Sequence, residues 1–224
     1  FLNNEPWMDF HTLQSGHGRW AMNWLMIEQA YTMKPTVPVI DLESSYPGFR
    51  HGRPPTTATD DDARRAGYWA VFAGAAGHTY GHHSIWQMHS PNHPGIAGPK
   101  AFWFEALDAP SAKQMGYLRK LIESRPFLTQ RPDLSLLAFE QERPWEMCLA
   151  LRGDGYVLVY TPTGRTLDIQ LGKLSGVKVE TSWFNPRTGA ATAIGEFENK
   201  GGRRFDPPGE EQSGNDWVLV LESQ

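Results

Sequence analysis

The pattern of the sequence changes near residue 132, and this change constrains the fold more than any other feature. Upstream of it, three strand candidates alternate with three helix candidates. The strand candidates are 7–14, 36–43 and 76–88, and the helix candidates are 20–34, 60–76 and 111–125. Three strand–helix units in succession favour an α/β architecture with a parallel sheet.

Downstream of residue 132 the candidate elements are short, and turn-forming Gly, Pro, Asn and Asp residues separate them. Six strand candidates cover 134–141, 146–153, 155–162, 166–171, 177–185 and 216–223. Short strands at this spacing are typical of an antiparallel β-sandwich. The sequence therefore predicts two domains, an α/β domain over 1–132 and a β-sandwich over 133–224.

Two of the helix candidates begin with a capping signal. Thr59 precedes the three carboxylates of Asp60–Asp62, and a threonine cap followed by anions suits the positive end of a helix dipole. Ser111 and Gln114 have the spacing of a capping box. Both patterns predict a helix start at these positions.

Composition excludes several classes of function. The net charge is −4 and the isoelectric point about 6.1, so the chain has no basic surface of the kind that binds nucleic acid. The sequence contains no apolar stretch of about 20 residues, the length that is needed to span a membrane. Cys148 is the one cysteine, which excludes an intramolecular disulfide and a cysteine zinc cluster. Nine tryptophans suit either core packing or stacking on sugar rings.

The segment "PVIDLESSY" contains the strongest catalytic candidate. The strand period of two places Val39, Asp41 and Glu43 on one face, and Ile40 and Leu42 on the other. We expect the apolar face to meet the helices and the acidic face to point inward. Glu43 would then lie at the carboxyl end of its strand, where barrel enzymes assemble their active sites. We assign Glu43 to catalysis and Asp41 to substrate binding; a structural role for both acids stays open.

The segment "AGHTYGHHSIWQM" concentrates histidine and aromatic side chains. His78 and His82 would chelate zinc if they were four residues apart on a helix. The surrounding residues favour a strand, where four residues separate side chains by about 13 Å and chelation fails. The segment favours substrate binding, with His82 hydrogen-bonded to sugar hydroxyls and a sugar ring stacked on Trp86. Buried core histidines are the second alternative, and a metal site is the least favoured.

The segment "DFHTLQSGHG" offers the same hydrogen-bonding chemistry at the end of the first strand candidate. We assign His11 and Gln14 to substrate binding. His17 offers the same chemistry further along the segment, and a structural role for all three is an open alternative.

A family resemblance lies in the segments quoted above, in residues 63–88 and in the tail "WFNPRTGAATAIGEF...FDPPG...DWVLVL". Through them the chain is similar to the apiosidase-like glycoside hydrolases, glycoside hydrolase family 140 and relatives. The resemblance covers nearly the whole chain. It implies the C-terminal part, about strands 6 to 8, of a (β/α)₈ TIM barrel, followed by a sandwich domain labelled collagen-binding. It also implies that Glu43 is the nucleophile of a retaining glycosidase.

The same resemblance implies the site's surroundings and the setting of the enzyme. Tyr46, His82 and Trp86 fall in stretches that line the family's pocket. The substrate would be a side chain of a plant or microbial polysaccharide, with no cofactor and no metal. A secreted or periplasmic location is implied as well.

The acid/base carboxylate of such families lies on the fourth barrel strand, whereas this sequence would begin just before the sixth. We therefore expect the N-terminal half of the barrel, from the same precursor or a separate chain, as a partner. This chain alone would be an incomplete enzyme.

Two other functions stay open at this stage. The chain could be a carbohydrate- or collagen-binding accessory protein without catalysis. It could also be a metal-dependent hydrolase that uses the histidines.

Overall fold

The computed structural model describes residues 3–53 and 55–224 of the chain. The chain divides into two compact units, one extending to Gly116 and the other starting at Tyr117. This division falls inside a single helix, Pro110–Glu123. The observed architecture is mixed α/β followed by antiparallel β-structure, which confirms the predicted fold class at this level.

The first unit is built from strand–helix alternation. Its strands are β1 (His11–Gln14), β2 (Val39–Glu43), β3 (Arg50–His51), β4 (Thr56–Thr57) and β5 (Gly77–His78). Its helices are α1 (Asn23–Tyr31), α2 (Asp60–Phe72), α3 (His83–Trp86), α4 (Trp103–Ala106) and the first half of α5 (Pro110–Glu123). Strands β1, β2 and β5 form a parallel sheet in that order, and β3 and β4 form a separate hairpin.

The register of the parallel sheet aligns the carboxyl ends of its strands. His11 pairs with Val39, whereas Gln14 pairs with Glu43, because the register shifts by one residue after Leu13. Asp41 pairs with His78 on the other side of β2. Parallel strands end at the same edge of a sheet, so β1 and β2 deliver Gln14 and Glu43 to one edge.

The start of α2 confirms the capping prediction. The Thr59 side chain accepts a hydrogen bond from the backbone N–H of Asp62, and the Asp62 carboxylate accepts one from the backbone N–H of Thr59. The predicted end at residue 76 is wrong, because α2 stops at Phe72. Gly74 adopts φ of 107°, a left-handed conformation that terminates helices and suits glycine.

Charged side chains are buried against aromatic rings at the start of α2. Asp62 accepts a hydrogen bond from Arg65 at 2.8 Å, and both residues are buried. The Arg65 guanidinium lies between the rings of Trp20 and Trp69, at 5.3 and 5.1 Å from their centroids. Cation–π contacts of this kind are strengthened by removal from water.

Two other local predictions for the first unit are wrong. Only Gly77–His78 of the strand candidate 76–88 forms a β-strand, since His83–Trp86 forms a helical turn capped by the His82 side chain. Ser111 is not a helix cap, because α5 begins one residue earlier. Its hydroxyl instead donates to the Asp60 carboxylate, a long-range contact that no local pattern encodes.

The second unit contains a six-stranded antiparallel sheet and a two-stranded one. Its strands are β6 (Arg131–Pro132), β7 (Leu149–Gly153), β8 (Tyr156–Thr161), β9 (Leu167–Gln170), β10 (Lys178–Phe184), β11 (Ala191–Glu198), β12 (Gly202–Phe205) and β13 (Trp217–Ser223). The order in the large sheet is β11-β10-β13-β8-β7-β6, and β12 pairs with β9. Three short 3-10 helices cover Phe127–Thr129, Leu134–Leu136 and Pro144–Glu146.

Five of the six downstream strand candidates contain an observed strand. The candidate 134–141 is wrong, because its apolar run starts as a 3-10 helix that Asp133 caps. Strands β11 and β12 went unpredicted because their residues are mostly exposed and lack a clear apolar alternation. An apolar core that includes Val159, Ile169 and Leu219 lies within this unit.

Candidate active site at the ends of the parallel strands

Glu43 is the last residue of β2, and its side chain is 37% exposed. Val39 and Asp41, at two-residue spacing before it, are buried, as the predicted inward face requires. The backbone N–H of Ser15 donates to the Glu43 carbonyl oxygen at 2.9 Å, which continues the pairing past the end of β1. On the other face, Leu42 is 45% exposed, so the expectation that helices cover it is wrong for the described residues.

His17 is the partner of the Glu43 carboxylate. Its Nε2 atom lies 2.9 Å from Glu43 Oε1, and its Nδ1 atom lies 2.8 Å from the carbonyl oxygen of Ser44. The imidazole ring therefore bridges the side chain of Glu43 and the backbone of the next residue. His17 lies in the turn that follows β1, where the sequence analysis gave it only a secondary place.

Tyr46 completes the group around the carboxylate. Its ring centroid lies 4.5 Å from that of His17. Burial, and secondarily the negative charge of Glu43, raises the pKa of Tyr46, so it remains a neutral phenol able to donate a hydrogen bond. A Cβ atom on Gly81 would lie 2.2 Å from the Tyr46 ring. The absence of a side chain at Gly81 therefore permits the position of Tyr46.

A row of aromatic rings connects His17 to Trp86. Phe49 lies 4.8 Å from His17 and 4.9 Å from His83, centroid to centroid, and His83 lies 6.1 Å from Trp86. The Trp86 side chain remains exposed, with 52% of its surface accessible. An exposed indole of this kind can stack on the apolar face of a sugar ring.

His83 fixes the orientation of Trp86. The indole N–H donates to His83 Nδ1 at 3.3 Å, so the neutral ring carries its hydrogen on Nε2, which donates to the Ala97 carbonyl oxygen at 3.3 Å. Burial lowers the pKa of His83, which favours this neutral form. The sequence alone marks His83 only as part of a histidine-rich segment, because its partners, Phe49 before it and Trp86 and Ala97 after it, are brought together by the fold.

His82 caps the helical turn that carries these residues. Its Nδ1 atom accepts a hydrogen bond from the backbone N–H of Ser84 at 3.1 Å, which leaves Nε2 as the hydrogen-bearing atom of the neutral ring. Burial lowers the pKa of His82. The backbone N–H of His83 donates to the Pro47 carbonyl oxygen, which ties this turn to the loop that carries Tyr46.

Asp41 lies beneath the rim in a buried polar cluster. One oxygen, Oδ2, accepts hydrogen bonds from Ser15 and Asn23, each at 2.9 Å. His78 Nδ1 lies 3.9 Å from the same oxygen, and burial lowers the pKa of His78 while the charge of Asp41 opposes this shift. Because Asp41 is fully buried and bonded to protein donors, its geometry suits support of β2 better than contact with a solute.

The structure separates the two assigned residues of β1. The Cα atom of Gln14 pairs with Glu43, and Gln14 is exposed at the same edge of the sheet. His11 pairs with Val39, four residues before Glu43, which corresponds to about 13 Å along a strand. Gln14 is thus near the carboxylate, whereas the structure does not bring His11 to it.

Two further properties of the described residues concern metal binding and membrane insertion. Across residues 3–53 and 55–224, no group of three or more His, Cys, Asp or Glu side chains has a geometry that could hold a metal ion. In the same residues, no helix combines the length and apolar character needed to cross a bilayer.

Solved structures that share this fold are glycoside hydrolases. One described as "Glycoside hydrolase" is 38% identical, with a TM-score of 0.94 over 99% of this chain and 54% of its own. A glycoside hydrolase family 5 protein from Bacteroides vulgatus is 36% identical, with a TM-score of 0.93 over 100% of this chain and 52% of its own. A comparison with curated protein sequences finds no match.

The fold and the site thus define a glycoside hydrolase-like protein. Residues 1–129 match the family model "Apiosidase-like, catalytic domain", and the chain belongs to this apiosidase-like family. Residues 131–222 match the model "Putative collagen-binding domain of a collagenase". The chain spans about half the length of the two solved relatives.

Proposed function

We propose that the chain is the nucleophile-bearing part of an apiosidase-like glycoside hydrolase, of family 140 or a relative, that cleaves glycosidic bonds in side chains of plant or microbial polysaccharides. The observation that carries the proposal is the half-exposed carboxylate of Glu43 at the end of β2, with His17 and Tyr46 around it. Membership of the apiosidase-like family supports it.

Three parallel strands with intervening helices are what successive units of a (β/α)₈ barrel provide. We propose that β1, β2 and β5 are about strands 6 to 8 of such a barrel, and that the second unit is a β-sandwich. The remaining strands would come from the N-terminal half of the barrel, in the same precursor or a separate chain. Native and denaturing mass spectrometry of active protein tests this: a longer chain or a second polypeptide supports it, and an active 25.2 kDa monomer overturns it.

The proposed reaction retains the anomeric configuration. The Glu43 carboxylate attacks the anomeric carbon as the bond to the leaving oxygen breaks, and that oxygen takes a proton from an acid in the rest of the enzyme. Water, deprotonated by the same residue, then hydrolyses the glycosyl ester. Retaining enzymes place the two carboxyl groups about 5 to 5.5 Å apart, which the complete barrel would have to provide.

The substrate would lie across the rim of the sheet. Trp86 would stack on a sugar ring, and Gln14, Tyr46 and His82 would hydrogen-bond its hydroxyl groups. Secretion or export to the periplasm is proposed for the whole enzyme, since polysaccharide substrates lie outside the cell.

Replacement of Glu43 tests the proposed function directly. In the complete protein, Glu43→Gln should lower kcat on a responsive aryl glycoside by about a thousandfold or more, because the amide is a poor nucleophile. Substrate binding should remain measurable. Glu28→Gln, on the exposed face of α1, is the matched control and should leave kcat unchanged. Turnover of Glu43→Gln near that of the wild type would remove Glu43 from the mechanism.

A second candidate function follows from the match of residues 131–222 to a collagen-binding domain. In this case the chain would be a binding module for collagen or carbohydrate. Retention of the protein on insoluble collagen and on pectin separates the two ligands. Binding to either with no activity on any aryl glycoside would favour this function over catalysis.

A further inference from the structure

We propose that His17 is a positioning residue that orients the Glu43 carboxylate through a proton shared between the two side chains. The proposal deepens the proposed function and rests on the assignment of Glu43 as the nucleophile.

The hydrogen-bond geometry of His17 fixes how many protons the pair holds. A carbonyl oxygen can only accept, so Nδ1, at 2.8 Å from the Ser44 oxygen, must carry a hydrogen. Nε2 lies 2.9 Å from Glu43 Oε1, and this contact is a hydrogen bond only if one more proton lies between the two atoms. The pair therefore holds one shared proton and has no net charge.

The surroundings of the imidazole keep it in this orientation. Only 18% of the His17 side chain is exposed, and the rings of Tyr46 and Phe49 pack against it at 4.5 and 4.8 Å. Ser44, whose carbonyl oxygen anchors Nδ1, is buried and directly follows Glu43. His17 is thus attached both to the carboxylate and to the backbone that carries it, which restrains the rotation of the Glu43 side chain.

This restraint has a consequence for each half of the reaction. With Oε1 bonded to His17, Oε2 is the oxygen directed to the anomeric carbon. When the glycosyl ester forms, the carboxylate loses its charge and the bond to His17 weakens. When water attacks the anomeric carbon and the ester bond breaks, its electron pair returns to Glu43 and the bond to His17 strengthens, which stabilises the departing carboxylate.

Loss of the shared proton disrupts the pair. The Nε2 lone pair would then face an anionic oxygen, and the two atoms would repel each other. The titratable groups that face His17 are Glu43 from β2, Tyr46 from the next loop and His83 from α3, whereas Arg19 is turned to Asp62 at 3.5 Å. Tyr46 and a neutral His83 bring no charge to the pair, so the orientation of the carboxylate depends on the proton that His17 and Glu43 share.

Kinetic variants of the complete protein test the proposal. His17→Phe keeps a ring between Tyr46 and Phe49 but cannot bond to Glu43, and His17→Gln can donate but does not titrate. We expect His17→Phe to lower kcat about a hundredfold with little change in KM, since misplacement of a reacting group has this effect. His17→Gln should recover part of kcat, because its amide can donate to the Glu43 carboxylate. His51→Gln, a change at an exposed histidine in β3, is the control and should match the wild type.

A second measurement does not depend on activity. In ¹⁵N-histidine spectra, the two ring nitrogens of His17 should report hydrogen bonds to Ser44 and Glu43 in the wild type, and Glu43→Gln should shift the Nε2 signal of His17 while leaving the signals of His51 unaltered. An unchanged Nε2 signal of His17 in Glu43→Gln, or a His17→Phe protein with full kcat, would overturn the proposal. These outcomes are separable from failure of the proposed function, which shows as full activity of Glu43→Gln itself.

Discussion

The two units of the chain differ in how they use polar side chains. All eight histidines of the sequence lie between residues 11 and 93, inside the first unit, and the second unit contains none. The first unit buries Asp41, Asp62, Arg64 and Arg65, whereas the second buries Asp216 and places the paired side chains of Asp168 and Arg204 at its surface. The interior of the second unit is a cluster of apolar side chains.

This difference in buried polar side chains indicates which unit contains the candidate active site. Buried charges and unpaired polar atoms cost free energy unless partners satisfy them, and they persist where a site has to be built. Apolar burial stabilises without directing any reaction. The first unit therefore contains the polar groups of the candidate site, and the second has a mainly apolar interior between antiparallel strands.

The largest expected effect contrasts a buried ion pair with an exposed one. Replacing Asp62 by Asn should lower the free energy of unfolding by about 3–5 kcal/mol, because Arg65 would be left buried without its anion. Asp168→Asn breaks a two-point contact with Arg204 at the surface, where water replaces the lost partner, and should change stability little. Urea denaturation of both variants measures the contrast, and equal losses would contradict it.

A second contrast compares two leucines in central strands. Leu219 in β13 is fully buried, so Leu219→Ala should cost about 2–5 kcal/mol from lost transfer free energy and the cavity left behind. Leu42 in β2 is 45% exposed, so Leu42→Ala should cost well under half as much. Thermal and urea unfolding of the complete protein check both values. An equal cost at Leu42 would indicate that other parts of the longer protein cover it.

The smallest expected effect is a gradual loss of folding stability as the pH falls. Burial lowers the pKa of His78, His82 and His83 below the ordinary value of 6.5. Below pH 6.5 the unfolded chain therefore binds more protons than the folded one, and stability falls as the pH falls toward the folded values. In the second unit, hydrogen bonds from Ser135 and Arg152 outweigh burial and lower the pKa of Asp133 below 3.8, so its stabilisation is lost only in stronger acid.

Hydrogen exchange read by mass spectrometry resolves the two units in one experiment. Between pH 7.5 and 5, after correction for the intrinsic exchange rate, peptides from α2 and β5 should lose protection while peptides from β8 and β13 keep theirs. Earlier loss in the second unit would reverse the predicted order.

The local patterns of the sequence predicted much of the fold. Thr59 and the carboxylates that follow it predicted the start of α2, and the alternation around Asp41 and Glu43 predicted β2 and the burial of Val39 and Asp41 on one face. Both signals depend on neighbours a few residues away. The strand candidate 76–88 failed because the cap that His82 provides competes with strand propensity.

The candidate site was only partly predictable for the same reason. Glu43 was predicted as a site residue from a local strand pattern, and in the structure His17 and Tyr46 lie around its carboxylate. The sequence did not indicate that His17 contacts Glu43, because the two residues are 26 positions apart. It also did not indicate that His83 binds both Trp86 and Ala97, because Ala97 lies in a later loop. Nothing in the sequence around His11 indicated that the register would leave it beside Val39.

The sequence by itself determined the α/β and antiparallel composition of the chain, because side-chain periodicity and caps act over one or two turns. Its motifs also determined the family resemblance. The tertiary structure alone decided which polar groups meet: the register shift that sets Gln14 opposite Glu43, the contact of His17 with that carboxylate, and the burial of Asp41. These depend on strand pairing and on the packing of segments distant in the sequence, which no local propensity encodes.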